Sequence, residues 1–68
     1  MEKQSRGLRF GVIAVERGFV TPEQLVAALK LQVEENLNGA GHRIIGMILL
    51  EQGLITLDQI DEVLLEME

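Results

Sequence analysis

Two polar side chains in the first half of the chain, Arg9 and Gln32, have the chemistry to bind a ligand. An arginine guanidinium can donate two parallel hydrogen bonds to a phosphate or to the O6 and N7 atoms of guanine. A glutamine amide can bond a phosphate oxygen or the edge of a base. With apolar neighbours as a floor beneath a base, this set suits a guanine nucleotide better than a sugar or a metal. The candidate ligand-binding residues are Arg9, Phe10, Gly11, Leu25, Leu29 and Gln32.

Catalytic and metal-binding residues are scarce. The chain has no cysteine and one histidine, His42, so a single chain cannot form a thiolate or multi-histidine metal site. We expect His42 to be solvated at a helix entry. Glu16 and Glu51 recur at corresponding positions, but nothing in the sequence supplies a cleft for acid–base chemistry. We therefore expect no catalytic residue, no metal, no cofactor and no enzyme activity.

Charge and composition limit the partners. The chain has 11 acidic and 6 basic residues, and its net charge of −5 repels phosphate backbones. Tyr and Trp are absent, which removes most stacking platforms for single strands. Nucleic-acid polymers are therefore not expected partners. An acidic cluster is either a solvated helix face or a docking surface for a basic protein. Its members are Asp58, Asp61, Glu62, Glu66 and Glu68.

No segment predicts membrane insertion or export. The longest apolar run, residues 44–50, is far shorter than the roughly 20 residues of a membrane-spanning helix. The first six residues do not lead into the apolar stretch of a signal peptide. We expect a cytoplasmic protein.

The elements that must position the candidate residues come from an internal repeat. Placing Gly11 over Gly46 brings two halves into register at an offset of 35 residues. The identical pairs are Gly11/Gly46, Ile13/Ile48, Glu16/Glu51, Gly18/Gly53, Thr21/Thr56, Gln24/Gln59 and Leu29/Leu64. Matched glycines, turn residues and apolar positions indicate a duplicated unit. We place repeat one at about 8–33, a polar, glycine-rich linker at about 34–42 and repeat two at about 43–68, within a single domain.

Each repeat predicts a helix, a tight turn and a second helix. Thr21 and Gln24 are spaced as a capping box, and Thr56 and Gln59 repeat the spacing. A glycine three residues before each threonine occupies the usual C′ position of the preceding helix. Apolar residues at N′ and N4 add a hydrophobic staple in both repeats.

The predicted fold is all-α, with four short helices that form two pseudo-repeated hairpins in one compact bundle. The first helices, residues 8–17 and 43–52, are apolar nearly all round and should be the buried central pair. Gly11 and Gly46 inside them indicate close approach of another helix or of a ligand. The second helices have apolar stripes, formed by Leu25, Ala28, Leu29 and Val33 and by Leu57, Ile60, Val63, Leu64 and Met67.

Hairpin geometry relates the two polar candidates. Arg9 and Gln32 lie at comparable distances from the first turn, so we expect them to converge at the open end of the hairpin. The alternative is that Arg9 is a surface arginine with its stem on the core, and that Gln32 lies at the edge of the apolar stripe.

The first repeat resembles a known motif, R-L-G-x-x-L-V-x-x-G-x-I-x-x-x-x-L-x-x-A-L-x-x-Q. The residues that carry the resemblance are Arg9, Gly11, Gly18, Val20, Leu25, Ala28, Leu29 and Gln32, and Phe10 replaces the usual leucine, which is a mild change. This motif occurs in tandem in the N-terminal domain of type II secretion and type IV pilus assembly ATPases. The resemblance implies a helical module of bacterial secretion machinery, and in some members the tandem motifs bind cyclic di-GMP. No P-loop motif of the ATPase itself occurs in the chain.

The second repeat departs from the motif at its polar positions. Ile44 stands where the arginine is expected, and Met67 where the glutamine is expected. Arg43 is one residue early, about 100° around the helix. The spacer between the motifs is also longer than the resemblance leads us to expect. Only repeat one therefore keeps the polar pair.

Two functions follow from the resemblance. The first is a non-catalytic regulatory or adaptor module that docks on a secretion or pilus-type partner protein and responds to a cyclic dinucleotide. The second is a cyclic di-GMP receptor that uses the first motif. Because cyclic di-GMP is two-fold symmetric, a homodimer would supply the Arg9 and Gln32 pair twice.

Overall fold

Four α-helices form in the computed structural model, which describes the backbone of residues 2–39 and 44–68 and the side chains of residues 7–39 and 44–68. The helices are α1 (Glu2–Glu16), α2 (Pro22–Leu37), α3 (Ile45–Glu51) and α4 (Leu57–Met67). The predicted all-α fold is confirmed for this part of the chain. His42 and Arg43, about which the sequence made predictions, lie outside the described residues.

The two predicted capping boxes set the starts of α2 and α4. The Oγ1 atom of Thr21 accepts a hydrogen bond from the backbone N–H of Gln24 at 3.1 Å, and the Oε1 atom of Gln24 accepts one from the backbone N–H of Thr21 at 2.9 Å. Thr56 and Gln59 form the same reciprocal pair at 3.1 and 3.0 Å. Each box satisfies two backbone donors that the first helical turn leaves unpaired.

Glycines in the left-handed region end α1 and α3. Gly18 has a φ of 78° and Gly53 a φ of 75°. The backbone N–H of Phe19 donates to the carbonyl of Ala14 at 2.9 Å, and that of Gly18 donates to the carbonyl of Val15 at 2.9 Å. These two bonds are the Schellman pattern, and they recur around Gly53. The predicted C′ role of both glycines is confirmed.

Two helix boundaries differ from the prediction. α1 begins at Glu2 rather than near residue 8, and α2 continues to Leu37 through the first part of the predicted linker. Glutamates are good helix formers, so the charged residues at 34 and 35 do not stop the helix. The helix stops at Asn38, whose N–H donates to the carbonyl of Glu34 at 3.1 Å, and Gly39 follows with a φ of 69°.

The two repeats interlock through their first helices. α1 packs against α3 and α4, and α3 packs against α1 and α2, so each first helix contacts the second helix of the other repeat. The predicted pairing of α1 with α3 is present, but α1 is buried on one face only, since Leu8 and Val12 are exposed. The core is apolar and consists of Phe10, Ile13, Ala14, Val20, Leu25, Ala28, Ile45, Ile48, Leu49, Ile55, Ile60 and Val63.

The outer members of the predicted apolar stripes are not covered. The centre of each stripe is buried, whereas Val33, Leu57 and Leu64 are exposed. Each predicted stripe is therefore buried along its centre and exposed at these residues. A chain of 68 residues has too little mass to cover both flanks of four helices, because a small domain buries a smaller fraction of its surface than a large one.

Valine at either left-handed turn should destabilise the fold. We expect Gly18→Val and Gly53→Val each to lower the free energy of unfolding by about 1–3 kcal/mol, because a β-branched residue is strained at positive φ. Gly7→Ala is the control: no neighbouring atom lies within 4 Å of an added Cβ, so its gain in helix propensity should raise stability by up to about 1 kcal/mol. Urea unfolding followed by circular dichroism measures all three. Unchanged stability of Gly18→Val would contradict the left-handed turn.

Candidate functional site

An open pocket lies on the side of the bundle where α3 begins and α4 ends. We call it the end pocket, and its volume is about 210 Å³. All four helices or their caps contribute to it, and one lining side chain is polar. The lining residues are Gly7, Phe10, Gln32, Ile44, Ile45, Gly46, Leu64 and Met67. A concave apolar surface with one amide suits an apolar group of a ligand or partner.

Phe10 and Gly46 form one wall of the end pocket. The Phe10 ring is 4% exposed, and its Cζ atom lies 3.1 Å from the position that a Cβ on residue 46 would take. The ring of α1 therefore rests on bare backbone of α3. This contact gives a reason for Gly46: a side chain at this position would press on the ring and require it to shift by a few tenths of an ångström.

Gly11 has the same kind of role at the contact between α1 and α2. An added Cβ would lie 2.8 Å from Leu25 Cδ2 and closer still to Leu25 Cδ1. Leu25 is itself buried, so its methyl groups have little room to move. The sequence left two alternatives for Gly11, close approach of another helix or of a ligand. In the structure, the helix α2 lies against it.

Two of the six candidate residues line the end pocket, namely Phe10 and Gln32. Leu25 belongs to the buried core, and Leu29 packs against that core from its edge. Neither leucine is among the lining residues. The two leucines expected to lie beneath a bound base therefore pack within the protein. Gln32 is half-buried and already has an interaction within the chain.

Arg9 is exposed and is not among the residues that line the end pocket. Residues 9 and 11 lie about 160° apart around an α-helix. Because Gly11 faces α2, the helix turns Arg9 away from α2 and hence from Gln32. The expected convergence is not found at the pocket, since proximity to the open end of a hairpin does not determine which way a helix is rotated. Nucleotide binding by these residues stays a prediction.

The end pocket instead contains the second repeat's counterparts of the polar pair. Ile44 corresponds to Arg9 and Met67 to Gln32, and both line the pocket. The replacement of a guanidinium and an amide by two apolar side chains makes this half of the pocket a surface for apolar contact. Alignment of the two repeats identified these two positions, but only as the places where repeat two lacks the polar pair.

The sequence analysis missed an ion-pair cluster that joins the two repeats. Arg17 Nε donates to Glu66 Oε1 at 2.7 Å, and Arg17 Nη1 lies 3.3 Å from Glu62 Oε1. All three side chains are largely exposed, so the cluster contributes about 1 kcal/mol or less to stability. The sequence did contain a signal for this cluster. Arg17 follows the last turn of α1, and Glu62 and Glu66 lie one turn apart on α4.

Arg17 neutralises one side of the acidic helix and leaves another side open. The outward side of α4, which we call the α4 face, alternates leucine and carboxylate. It covers about a third of the helix circumference. Its residues are Leu57, Asp58, Asp61, Leu64, Leu65 and Glu68, all of them exposed. Since Leu64 also lines the end pocket, the α4 face and the pocket form one continuous surface.

Comparison with known protein families, with curated proteins and with solved structures finds no match to this chain. The resemblance to the secretion-ATPase domain therefore rests on the sequence motif alone, which is complete at its polar positions in repeat one and keeps its glycines and apolar residues in repeat two. Within residues 2–39 and 44–68, no helix has the length and apolar character to cross a membrane. The same part of the chain contains no cluster of three or more histidine or acidic side chains that would hold a metal ion.

A double-mutant cycle tests whether Gly11 serves packing. Leu25→Ala should cost about 2–5 kcal/mol in the wild type because Leu25 is buried. In a Gly11→Ala background it should cost at least about 1 kcal/mol less, because removing the leucine relieves the clash with the new methyl group. Urea unfolding of the four proteins measures the coupling. Strictly additive effects would show that Gly11 and Leu25 are not in contact.

Proposed function

We propose that this domain is a non-catalytic adaptor module that docks on a partner protein through the α4 face and the end pocket. The partner segment we infer is basic and carries an apolar side chain that enters the pocket. The setting we infer is the cytoplasmic side of bacterial secretion or pilus-type machinery, and this part of the proposal rests on the resemblance of repeat one.

The apolar part of the argument concerns Leu64, which carries the proposal. It belongs to both the α4 face and the pocket lining, and Ile44 lies exposed among the same lining residues. Single exposed leucines are ordinary, but a row of them beside an apolar cavity is typical of a protein interface. Burial of one leucine side chain is worth about 1.5–3 kcal/mol, so these leucines would contribute substantially to a contact that also uses charge.

The electrostatic part concerns the carboxylates of the α4 face. Arg17 is paired with Glu62 and Glu66, which lie on the side of α4 toward α1. Asp61 lies between the exposed leucines, and Asp58 lies at the margin of the α4 face, one turn before Glu62. With a net charge of −5 for the chain, this surface favours a basic partner, and complementary charge would raise the association rate.

The alternative function is a cyclic di-GMP receptor, and the site favours it less. The end pocket measures about 210 Å³, below the roughly 300–1,000 Å³ of pockets that enclose small-molecule ligands. Among the described residues that line it, Gln32 has the one polar side chain and none is cationic. The two phosphates of a dinucleotide need cationic or backbone hydrogen-bond donors. An apolar side chain of a partner protein needs only a pocket of sufficient volume.

Substitutions on the α4 face should weaken docking and leave the stability of the fold unchanged. We expect Leu65→Asp to weaken binding to the cytoplasmic domain of a secretion or pilus platform protein at least tenfold, or about 1.4 kcal/mol. Leu65 is 67% exposed, so stability should not change. Asp61→Lys should weaken binding through charge and reduce its salt dependence. Titration by biolayer interferometry at two salt concentrations measures both effects.

The matched control for this experiment is Val26→Asp on α2. Val26 is 64% exposed and corresponds to Asp61 in the repeat, so the control introduces the same carboxylate at an equivalent position outside the α4 face. We expect wild-type affinity from it. Equal weakening by Leu65→Asp and Val26→Asp would rule out the α4 face as the docking site, and no binding by the wild type would reject this class of partner.

Calorimetry with cyclic di-GMP decides between the two functions. At about 100 μM wild-type protein we expect no heat, which corresponds to less than about 5.5 kcal/mol of binding free energy. Binding that both Arg9→Ala and Gln32→Ala weaken, while Lys30→Ala does not, would establish the receptor instead. Sedimentation with the nucleotide present would then show whether a dimer forms around it.

A further inference from the structure

A second apolar surface lies on α2 and takes no part in the proposed docking. Val26, Val33 and Leu37 are 64%, 54% and 81% exposed. Their spacings of seven and four residues place them within about 40° of arc on one side of the helix. We call these three residues the α2 stripe. Spacing of this kind is typical of a helix that packs lengthwise against another helix.

The α2 stripe is separate from the core and from the end pocket. Leu25 and Ala28 face the core of the bundle, about 100° or more around α2 from the stripe. Gln32, which lines the end pocket, lies about 120° away from it. An occupant of the stripe would therefore leave the pocket and the α4 face accessible.

One charged residue interrupts the stripe and restricts what can cover it. Lys30 lies between Val26 and Val33 on the same side of α2 and is exposed. Among the described residues it forms no ion pair. Glu34 follows one turn later, at the margin of the stripe. A covering helix must supply apolar side chains at both ends and a carboxylate near the middle.

We propose that the occupant is the α2 helix of a second copy of this chain, packed antiparallel. In a register where paired residue numbers add to 63, Val26 lies opposite the partner's Leu37 and Lys30 lies opposite the partner's Val33. The partner's Glu34 is then the next residue along, within reach of the Lys30 ammonium. Because the arrangement is two-fold symmetric, each contact occurs twice.

The alternative orientation is disfavoured by charge. In a parallel pair, the same heptad positions face each other, so Lys30 would lie beside the partner's Lys30 inside the contact. A lysine at one such position selects the orientation in which it meets a carboxylate, at some loss of affinity. Three apolar residues per chain bury far less than the roughly 800 Å² per partner of a stable complex, so the dimer should be weak.

Sedimentation equilibrium on the whole chain, from about 10 μM to about 1 mM in about 0.15 M salt, tests the proposal. We expect the wild type to dimerise within this range. Leu37→Asp should weaken the dimer at least tenfold, while Leu65→Asp on the α4 face should leave it unchanged. This pair separates failure of the present inference from failure of the proposed docking, because the two variants act on different surfaces.

Charge reversal tests the register. Lys30→Glu and Glu34→Lys should each weaken the dimer about fivefold or more, although the second lowers the net negative charge of the chain. The double variant Lys30→Glu/Glu34→Lys has the wild-type net charge and again places opposite charges at each contact, so it should regain wild-type affinity. A wild type that stays monomeric at about 1 mM, single reversals without effect, or a double variant without rescue would each overturn the proposal.

Discussion

The contact between Phe10 and the backbone of Gly46 is the constraint on which the rest of this small structure depends. The ring is the largest side chain in the core, and it packs directly on the backbone of α3, where a Cβ would lie 3.1 Å from its Cζ atom. This contact joins the two repeats and forms one wall of the end pocket. The pocket is thus a consequence of how α1 and α3 meet, and a side chain at position 46 would displace the Phe10 ring and alter the pocket wall.

Limited mass explains why this domain has so much apolar surface. Four helices in 68 residues can each bury one face, and the core is correspondingly thin. Among the described residues, six of the ten exposed large apolar side chains lie on the α4 face or in the α2 stripe. Both surfaces also contain charged side chains that would select a partner. A domain of this size gains from binding, since a partner supplies the burial that its own chain cannot.

The repeat is symmetric in its turns and asymmetric at its surface. Both halves keep the same capping boxes and left-handed glycines, because these are needed for any helical hairpin of this shape. The side chains that face outward differ. Arg17 pairs with two glutamates of α4, whereas the corresponding positions are Gln52, Ala27 and Leu31, which cannot form an ion pair. Duplication therefore preserved the scaffold, and the two halves acquired different surfaces.

Local signals in the sequence determined the four helices, the two turns and the class of fold. Capping boxes and Schellman turns involve residues three to five apart, so their geometry follows from spacing alone. The start of α1 escaped prediction because no capping signal marks residue 2. The end of α2 has a signal of the same kind as the two turns, since Gly39 follows Asn38 at positive φ, but the prediction assigned this glycine to the linker. Only the tertiary structure decided that Gly11 contacts Leu25, that Arg9 turns away from α2 and that Ile44 and Met67 line the end pocket. These facts depend on how each helix is rotated against its neighbours, and that rotation is set by the packing of the whole core.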